Sequence, residues 1–143
     1  MNNRLCDLRE EKNISQTDLA KIINVDRSLI SKWEKGTEII PLKHLNTLCN
    51  YYETSMDYAL GLSNKNEYKP ANSKLNKIVI GNNIKQLRTQ YKLTNRELAD
   101  ILNTTSSTIS AYETGKNIIL TAFAIELCKK YNISLDELSG RFL

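Results

Sequence analysis

Gln16, Arg27, Ser28, Ser31 and Lys32 are polar residues interleaved with an apolar set at Leu19, Ala20, Ile30 and Trp33. On a helix beginning at Arg27, Ile30 and Trp33 fall on the inward side and Arg27, Ser28, Ser31 and Lys32 on the outward side. Arg and Lys in such places have the chemistry to donate to guanine O6 and N7 in a DNA major groove, Arg through two parallel bonds. Gln16, at the start of the preceding helix, sits where a side-chain amide and a helix N-terminus can hold a phosphate. Lys35, Thr37 and Lys43 flank the same face and are expected to serve as phosphate contacts. The competing reading of any isolated Lys or Arg is a solvated surface charge.

Two short helices joined by a turn of about four residues can present the second in a major groove, provided an apolar inner face fixes their angle. Leu19, Ala20, Ile23, Val25, Ile30 and Trp33 supply that face. Ser15 is a good N-cap for a helix over Gln16–Ile23, since its hydroxyl can accept an orphan backbone N–H. Asn24 and Val25 break that helix, Asp26 caps the next over Arg27–Lys35, and Gly36 ends it. A helix over 3–12 precedes the pair, with Leu5 and Leu8 on one face. Pro41 suits the first turn of a fourth helix reaching about Tyr51, with Leu45, Leu48, Cys49 and Tyr52 inward. Ser55 caps a short fifth helix ending at Gly61.

The arrangement then recurs. Residues 8–61 align with residues 87–140 at a constant offset of 79, without a gap and with 19 identities in 54 positions. Such a repeat fixes the number of folding units. Leu19-Ala20 returns as Leu98-Ala99, Ile39-Ile40 as Ile118-Ile119, and Leu48-Cys49 as Leu127-Cys128. The second copy places helices over 82–91, with Ile84 and Leu87 inward, and over 121–130, with caps at Thr94, Thr105 and Ser134. Its inner face is Leu98, Ala99, Leu102, Ile109 and Tyr112, with Thr104 replacing Val25. The expected architecture is all-α: two tandem five-helix domains, 1–63 and 78–143, joined by a polar linker at 64–77. Ile78-Val79-Ile80 is less linker-like, and either lengthens the first helix of the second copy or packs the copies together.

The run Ser15-Gln16-x-x-Leu19-Ala20, then Ile30-Ser31-x-Trp33-Glu34-x-Gly36, then Pro41 and a Leu-x-x-Leu-Cys-x-x-Tyr helix, resembles the Cro/C1-type (XRE family) helix-turn-helix domain. The resemblance covers nearly all of the first copy and the same span of the second. It implies a lambda-repressor-like fold and a sequence-specific regulator of transcription that binds double-stranded DNA. It puts base-reading positions at Arg27, Ser28 and Lys32, and a phosphate-anchoring glutamine at Gln16. It also implies a structural role for Glu34 and Glu113, tying the third helix to neighbouring backbone.

The second copy departs at those positions. It has Asn95 for Gln16, Ser106 for Arg27, Ser107 for Ser28, Ser110 for Ser31 and Ala111 for Lys32. None is charged, although Ser can bond a base or phosphate and the Ala111 methyl can pack on a thymine methyl. Asn95 can still reach a phosphate, with Arg96 beside it. Phosphate neutralisation supplies much of the affinity of such contacts. The second copy is therefore either a weaker reader of A·T-rich sequence or a surface for dimerisation or for another protein.

Two readers on one chain suggest a built-in pseudo-dimer for half-sites about one helical turn, roughly 34 Å, apart. A flexible linker of about 15 residues has an r.m.s. span near 20 Å and raises the effective concentration of the second reader. Unlike readers predict an operator with unlike halves. Homodimerisation would make the full operator longer and palindromic.

Net charge is +4, spread unevenly: 8 basic against 9 acidic side chains in residues 1–64, 4 against 1 in 65–80, and 8 against 6 in 81–143. So small a value neither proves nor excludes nucleic-acid binding, for which a local basic face matters. Cys6, Cys49 and Cys128 are odd in number and lack CxxC spacing, which argues against a disulfide framework or a zinc site. Cys49 and Cys128 read as small buried residues. No signal-type h-region opens the chain and no apolar run approaches the roughly 18 residues of a membrane span. A cytoplasmic bacterial or phage protein associated with the nucleoid is expected, without cofactor, metal or evident small-molecule effector. One histidine, His44, and the absence of a phosphate-cradling glycine loop, a nucleophile elbow or HExxH argue against an enzyme. The competing class is a protein-interaction module, antitoxin-like or anti-repressor. It would show an apolar patch around Tyr112, Ile118, Ile119 and Phe123.

Overall fold

A computed structural model describes residues 2–142. These form ten helices in two compact units, residues 2–74 with 142, and residues 75–141. The first unit holds α1 (Leu5–Glu11), α2 (Gln16–Ile23), α3 (Arg27–Lys35), α4 (Leu42–Tyr52) and α5 (Met56–Ala59). The second holds α6 (Lys77–Gln90), α7 (Asn95–Ile101), α8 (Ser106–Glu113), α9 (Thr121–Tyr131) and α10 (Leu135–Leu138). Among the described residues no helix is long and apolar enough to cross a membrane.

In the first unit the apolar stripes converge as the pattern requires. Leu5, Leu19, Ile30, Trp33, Leu45, Leu48, Cys49 and Met56 are buried, while Ile23 and Val25 are only half-buried. Burial of each large aliphatic side chain contributes roughly 1.5–3 kcal/mol. The Ser15 hydroxyl accepts from Asp18 N–H at 3.0 Å and caps α2. Asn24 then turns in the left-handed region at φ 57°, and Val25 N–H bonds back to the Ala20 carbonyl. Asp26 occupies the N-cap of α3 but makes no side-chain cap bond. Gly36 ends α3 at φ 77°, a conformation that a Cβ disfavours.

Several boundaries differ from the sequence pattern: Pro41 is the N-cap of α4 and not part of its first turn, and α5 stops at Ala59, short of Gly61. α1 begins at Leu5 because Asn3 is spent on capping: its Oδ1 accepts from Leu5 N–H, and its Nδ2 donates to the Trp33 carbonyl at 2.9 Å. α6 begins at Lys77, so Ile78-Val79-Ile80 lengthens that helix. Asn76 Oδ1 caps it by accepting from the N–H groups of Ile78 and Val79.

The second unit repeats the plan with its own caps. Thr94 and Glu97 form a reciprocal capping box on α7. The Thr94 bonds hold the Glu97 carboxyl below its ordinary pKa. Gly81, inside α6, lies where a Cβ would stand 2.4 Å from the Tyr112 carbonyl oxygen and 2.7 Å from that of Glu113. That absent Cβ lets α6 pass directly over the end of α8. Arg141 and Asp136 form a buried ion pair at 2.8 Å beneath α10. The Ile-Ile doublets divide alike in both units: Ile40 and Ile119 are core, each 2% exposed, while Ile39 is exposed and Ile118 half-buried.

Candidate nucleic-acid interface

α2, its left-handed turn and α3 are packed through Leu19, Ala20, Ile30 and Trp33, all buried. That packing leaves one face of α3 to solvent. Arg27, Ser28 and Lys32 are exposed on it and Ser31 is half-exposed. Lys35, Thr37 and Lys43 are exposed around it, and Gln16 is half-buried at the first position of α2.

A chain of polar contacts runs from the core to this face. Arg9 of α1 meets the Glu34 carboxylate through two bonds, Nε to Oε2 at 2.8 Å and Nη2 to Oε1 at 3.1 Å. Its Nη1 also donates to the Ile14 carbonyl. The side chains of Arg9 and Glu34 are 12% and 5% exposed. The bidentate fork is the strong geometry for such a pair, and it holds Arg9 even more firmly protonated than usual. Glu34 Oε1 accepts a third bond, from Gln16 Nε2 at 2.9 Å, and Gln16 Oε1 accepts from Arg27 Nη1 at 3.2 Å. These bonds leave Gln16 with one further amide N–H and Arg27 with four of its five donors.

Glu34 is thus structural, but it ties α3 to the side chains of Arg9 and Gln16 and not directly to backbone. Arg9 makes the backbone link, at Ile14. Sequence reasoning passed over Arg9 and its counterpart Arg88, although both are identical across the repeat and keep step with Glu34 and Glu113. It also passed over Glu38, whose carboxylate lies 3.4 Å from Lys32 Nζ with both side chains half-exposed. A pair so open to water contributes little.

The second unit keeps the anchor and loses the relay. Arg88 forks onto Glu113 at 2.8 and 3.0 Å and donates to the Leu93 carbonyl, matching Arg9 bond for bond. Asn95, one methylene shorter than Gln16, donates instead to Ser110 Oγ at 3.1 Å. Its Oδ1 is buried without a hydrogen-bond partner. Ser107 and Ser110 are exposed, Ser106 and Ala111 are half-buried, and Arg96 is exposed on α7. The face carries hydroxyls and a methyl where the first unit carries two cations.

The remaining sequence candidates fall outside this face. Cys49 and Cys128 are buried at 0% and 5% exposure, as small core residues would be. His44 is half-buried with its ring centroid 5.4 Å from that of Trp33, so it braces α3 from beneath. Tyr112 and Ile119 are buried, which removes the centre of the apolar patch that an interaction module would present there.

The Helix-turn-helix family model, HTH_3, matches residues 7–58 and again 84–138. The chain belongs to that family. Both matched regions are helix-turn-helix domains of the Cro/C1 type. Among curated relatives the chain is 36% identical over 62 residues to the antitoxin PezA of Streptococcus pneumoniae, covering 43% of this chain and 39% of that protein. It is 34% identical over 59 residues to the HTH-type transcriptional activator BcrR of Enterococcus faecalis, covering 41% and 29%. The chain therefore spans well under half the length of either relative. Among solved structures it is similar to the restriction-modification controller protein C.AhdI of Aeromonas hydrophila, with TM-score 0.40 and 22% identity over 44% of this chain and 91% of that one. A transcriptional regulator from Listeria innocua gives TM-score 0.41 and 24% identity over 50% and 61%.

Proposed function

We propose that this helix-turn-helix protein is a repressor that reads an operator with unlike halves, using α3 for one half and α8 for the other. The observation that carries the reading is the Arg27–Gln16–Glu34–Arg9 chain. It holds a base donor and a phosphate donor side by side at the mouth of α3 before any DNA arrives. Preorganised donors lose less freedom on binding than free side chains do. Arg27 and Lys32 favour guanine in the first half-site. Ser106, Ser107, Ser110 and Ala111 favour a T-methyl-rich second half-site, with Asn95 and Arg96 at the phosphates. A homodimer would double this into a longer palindrome. Repression follows from occlusion of polymerase, which needs no apparatus beyond the two readers.

A second reading keeps α3 on DNA and gives the second unit to a protein partner. The uncharged face of α8 favours it, and the antitoxin among the relatives is consistent with it. Selection of duplexes from a random library at about 150 mM salt, on the intact chain and on Arg27→Ala/Lys32→Ala, separates the two. Two unlike half-sites, with only one relaxed in the variant, support two readers. A single half-site lost entirely in the variant assigns the second unit to a partner. No enriched sequence from either protein overturns both readings. A reporter on the bound promoter that falls when the protein is removed overturns repression.

A further inference from the structure

The polar segment that follows α5 is tied to the first unit by side-chain bonds along its length, and by a backbone bridge between Ala71 and Phe142. Arg4 donates to the Ser63 carbonyl at 2.9 Å and to Asn64 Oδ1 at 3.4 Å. Asn66 grips the end of α4, its Oδ1 accepting from Ser55 N–H at 2.9 Å and its Nδ2 donating to the Glu53 carbonyl at 3.2 Å. Asn46 Nδ2 donates to the carbonyls of Asn72 and Ser73 at 3.2 and 3.3 Å, and Asn50 Nδ2 to that of Asn72 at 3.0 Å.

The second unit builds the same helix without an amide at the positions of Asn46 and Asn50. Asn46 is 1% exposed, and the position 79 residues on is Ile125, 7% exposed; Asn50 is matched by Lys129. An amide buried where the same fold accepts isoleucine costs on the order of 1–3 kcal/mol unless its polar atoms are satisfied. The carbonyls of residues 72 and 73 supply acceptors. These amides therefore serve the strap that follows the first unit, and the second unit lacks them.

The clasp shortens the chain that is free to flex. Beyond Ser73 only Lys74 and Leu75 precede Asn76, which is already committed to capping α6. Two residues reach about 7 Å fully extended. A free coil across 64–77 would have an r.m.s. span of about 20 Å.

We propose that Asn46 and Asn50 are specificity-determining residues that set the separation of the two half-sites without touching DNA. The proposal rests on the reading that both units engage DNA. A free coil lets the second reader reach half-sites over many separations with similar effective concentration. A clasped strap does not, because each added base pair shifts the half-site by roughly 3.4 Å and about a tenth of a turn.

The test uses the full chain and a panel of duplexes carrying both selected half-sites at separations from about 8 to 16 base pairs. The comparison protein is Asn46→Ile/Asn50→Lys, the pair that the second unit itself carries. A further variant with six Gly/Ser residues inserted between Lys74 and Leu75 leaves both cores untouched. The unmodified chain is expected to bind best at one separation and at least about tenfold more weakly two base pairs away. Both variants are expected to lose that peak and vary less than about threefold across the panel. A flat profile for the unmodified chain, or the same peak for all three proteins, overturns the proposal. No gain from a second half-site at any separation overturns the two-reader basis, and the spacing role with it. Backbone relaxation of the free proteins reads the clasp without DNA. Residues 66–73 are expected to give order parameters near 0.85 in the unmodified chain and below about 0.6 in Asn46→Ile/Asn50→Lys. Equal mobility in both overturns the clasp.

Discussion

The Glu34 carboxylate, nearly shut off from water, lies flat against the Arg9 guanidinium, and one of its two oxygens also takes the amide of Gln16. The same ion pair stands at Arg88 and Glu113 in the second unit. Replacing a buried ion pair as a whole can be neutral, but removing one partner strands the other charge and costs roughly 3–5 kcal/mol. Arg9→Ala is therefore expected to lower the unfolding free energy of the first unit by that amount, with Arg9→Lys intermediate because it keeps the charge and loses the fork. Urea denaturation of the full chain, followed by Trp33 fluorescence, isolates the first unit, since Trp33 is the single tryptophan. A loss under about 1 kcal/mol for Arg9→Ala would mean that the pair is no more than a surface contact.

The contacts of Arg27 and Lys43 with DNA should differ in kind. Arg27 is exposed on α3 with four donors to spare, so if it reads a base as proposed, Arg27→Ala should cost about 1–3 kcal/mol and relax preference at one base position. Lys43 stands at the exposed start of α4 as a point charge. Lys43→Ala should weaken all sequences alike and reduce the slope of log affinity against log salt by about 1. Titrations of the selected duplex and of a scrambled one at several salt concentrations read both effects. A sequence-selective loss from Lys43→Ala would reverse its assignment as a phosphate contact.

Gly81 has a sharper requirement. A methyl there would press on two backbone carbonyls of α8, which cannot rotate aside as a flexible side-chain end could. Gly81→Ala should gain helix propensity in α6 and still destabilise the second unit by about 1–3 kcal/mol, because overpacking outweighs a propensity term of up to about 1 kcal/mol. Thermal unfolding followed at 222 nm tests the sign. A raised midpoint would show that α6 and α8 can move apart freely.

Much of this was legible in the residues. The caps at Ser15, Ser55, Thr94, Thr105 and Ser134 all accept the expected backbone N–H groups, because a capping hydroxyl acts on its own neighbours. The inward stripes of α2, α3, α7 and α8 followed from helical period alone. The contacts that escaped and shape the two faces mostly link residues far apart in sequence. Arg9 reaches Glu34 across 25 positions and Asn46 reaches Ser73 across 27, and no local period encodes such pairs. Asp26 shows the opposite limit: the residue type suits a cap, yet its side chain makes no such bond.

Tyr52 tests the cost of an unsatisfied group. Its ring is buried in the first unit and its hydroxyl has no hydrogen-bond partner. Burial, with the nearby Glu34 charge, pushes its pKa well above the ordinary phenol value, so it stays neutral throughout the working range. Removing a buried donor that bonds to nothing relieves a desolvation cost and leaves the packing of the ring unchanged. Tyr52→Phe should leave the urea midpoint unchanged or raise stability by up to about 1 kcal/mol. A loss of that size would reveal a bonded water or side chain at the hydroxyl in solution.

His44 gives the first unit a pH dependence of predictable sign. Burial lowers its pKa from the ordinary 6.5, and the adjacent Lys43 charge lowers it further. The unfolded chain then binds a proton near pH 6.5 while the folded chain still resists it, so the unfolded state holds more protons in that window. The stabilising effect of the neutral ring is complete above about pH 6.5, declines as pH falls from there through the lower folded-state value, and is lost below it. Carboxylates elsewhere also titrate on the acid side, so the informative quantity is a difference between two proteins. His44→Phe, the residue that the second copy carries as Phe123, keeps an aromatic ring against Trp33 and removes the titration. Urea midpoints measured by Trp33 fluorescence at about pH 7.5 and 5.5 should fall further for the unmodified chain than for His44→Phe. An equal fall in both would show that His44 is as free to protonate in the folded unit as in the unfolded chain, and that its seat against Trp33 excludes no water.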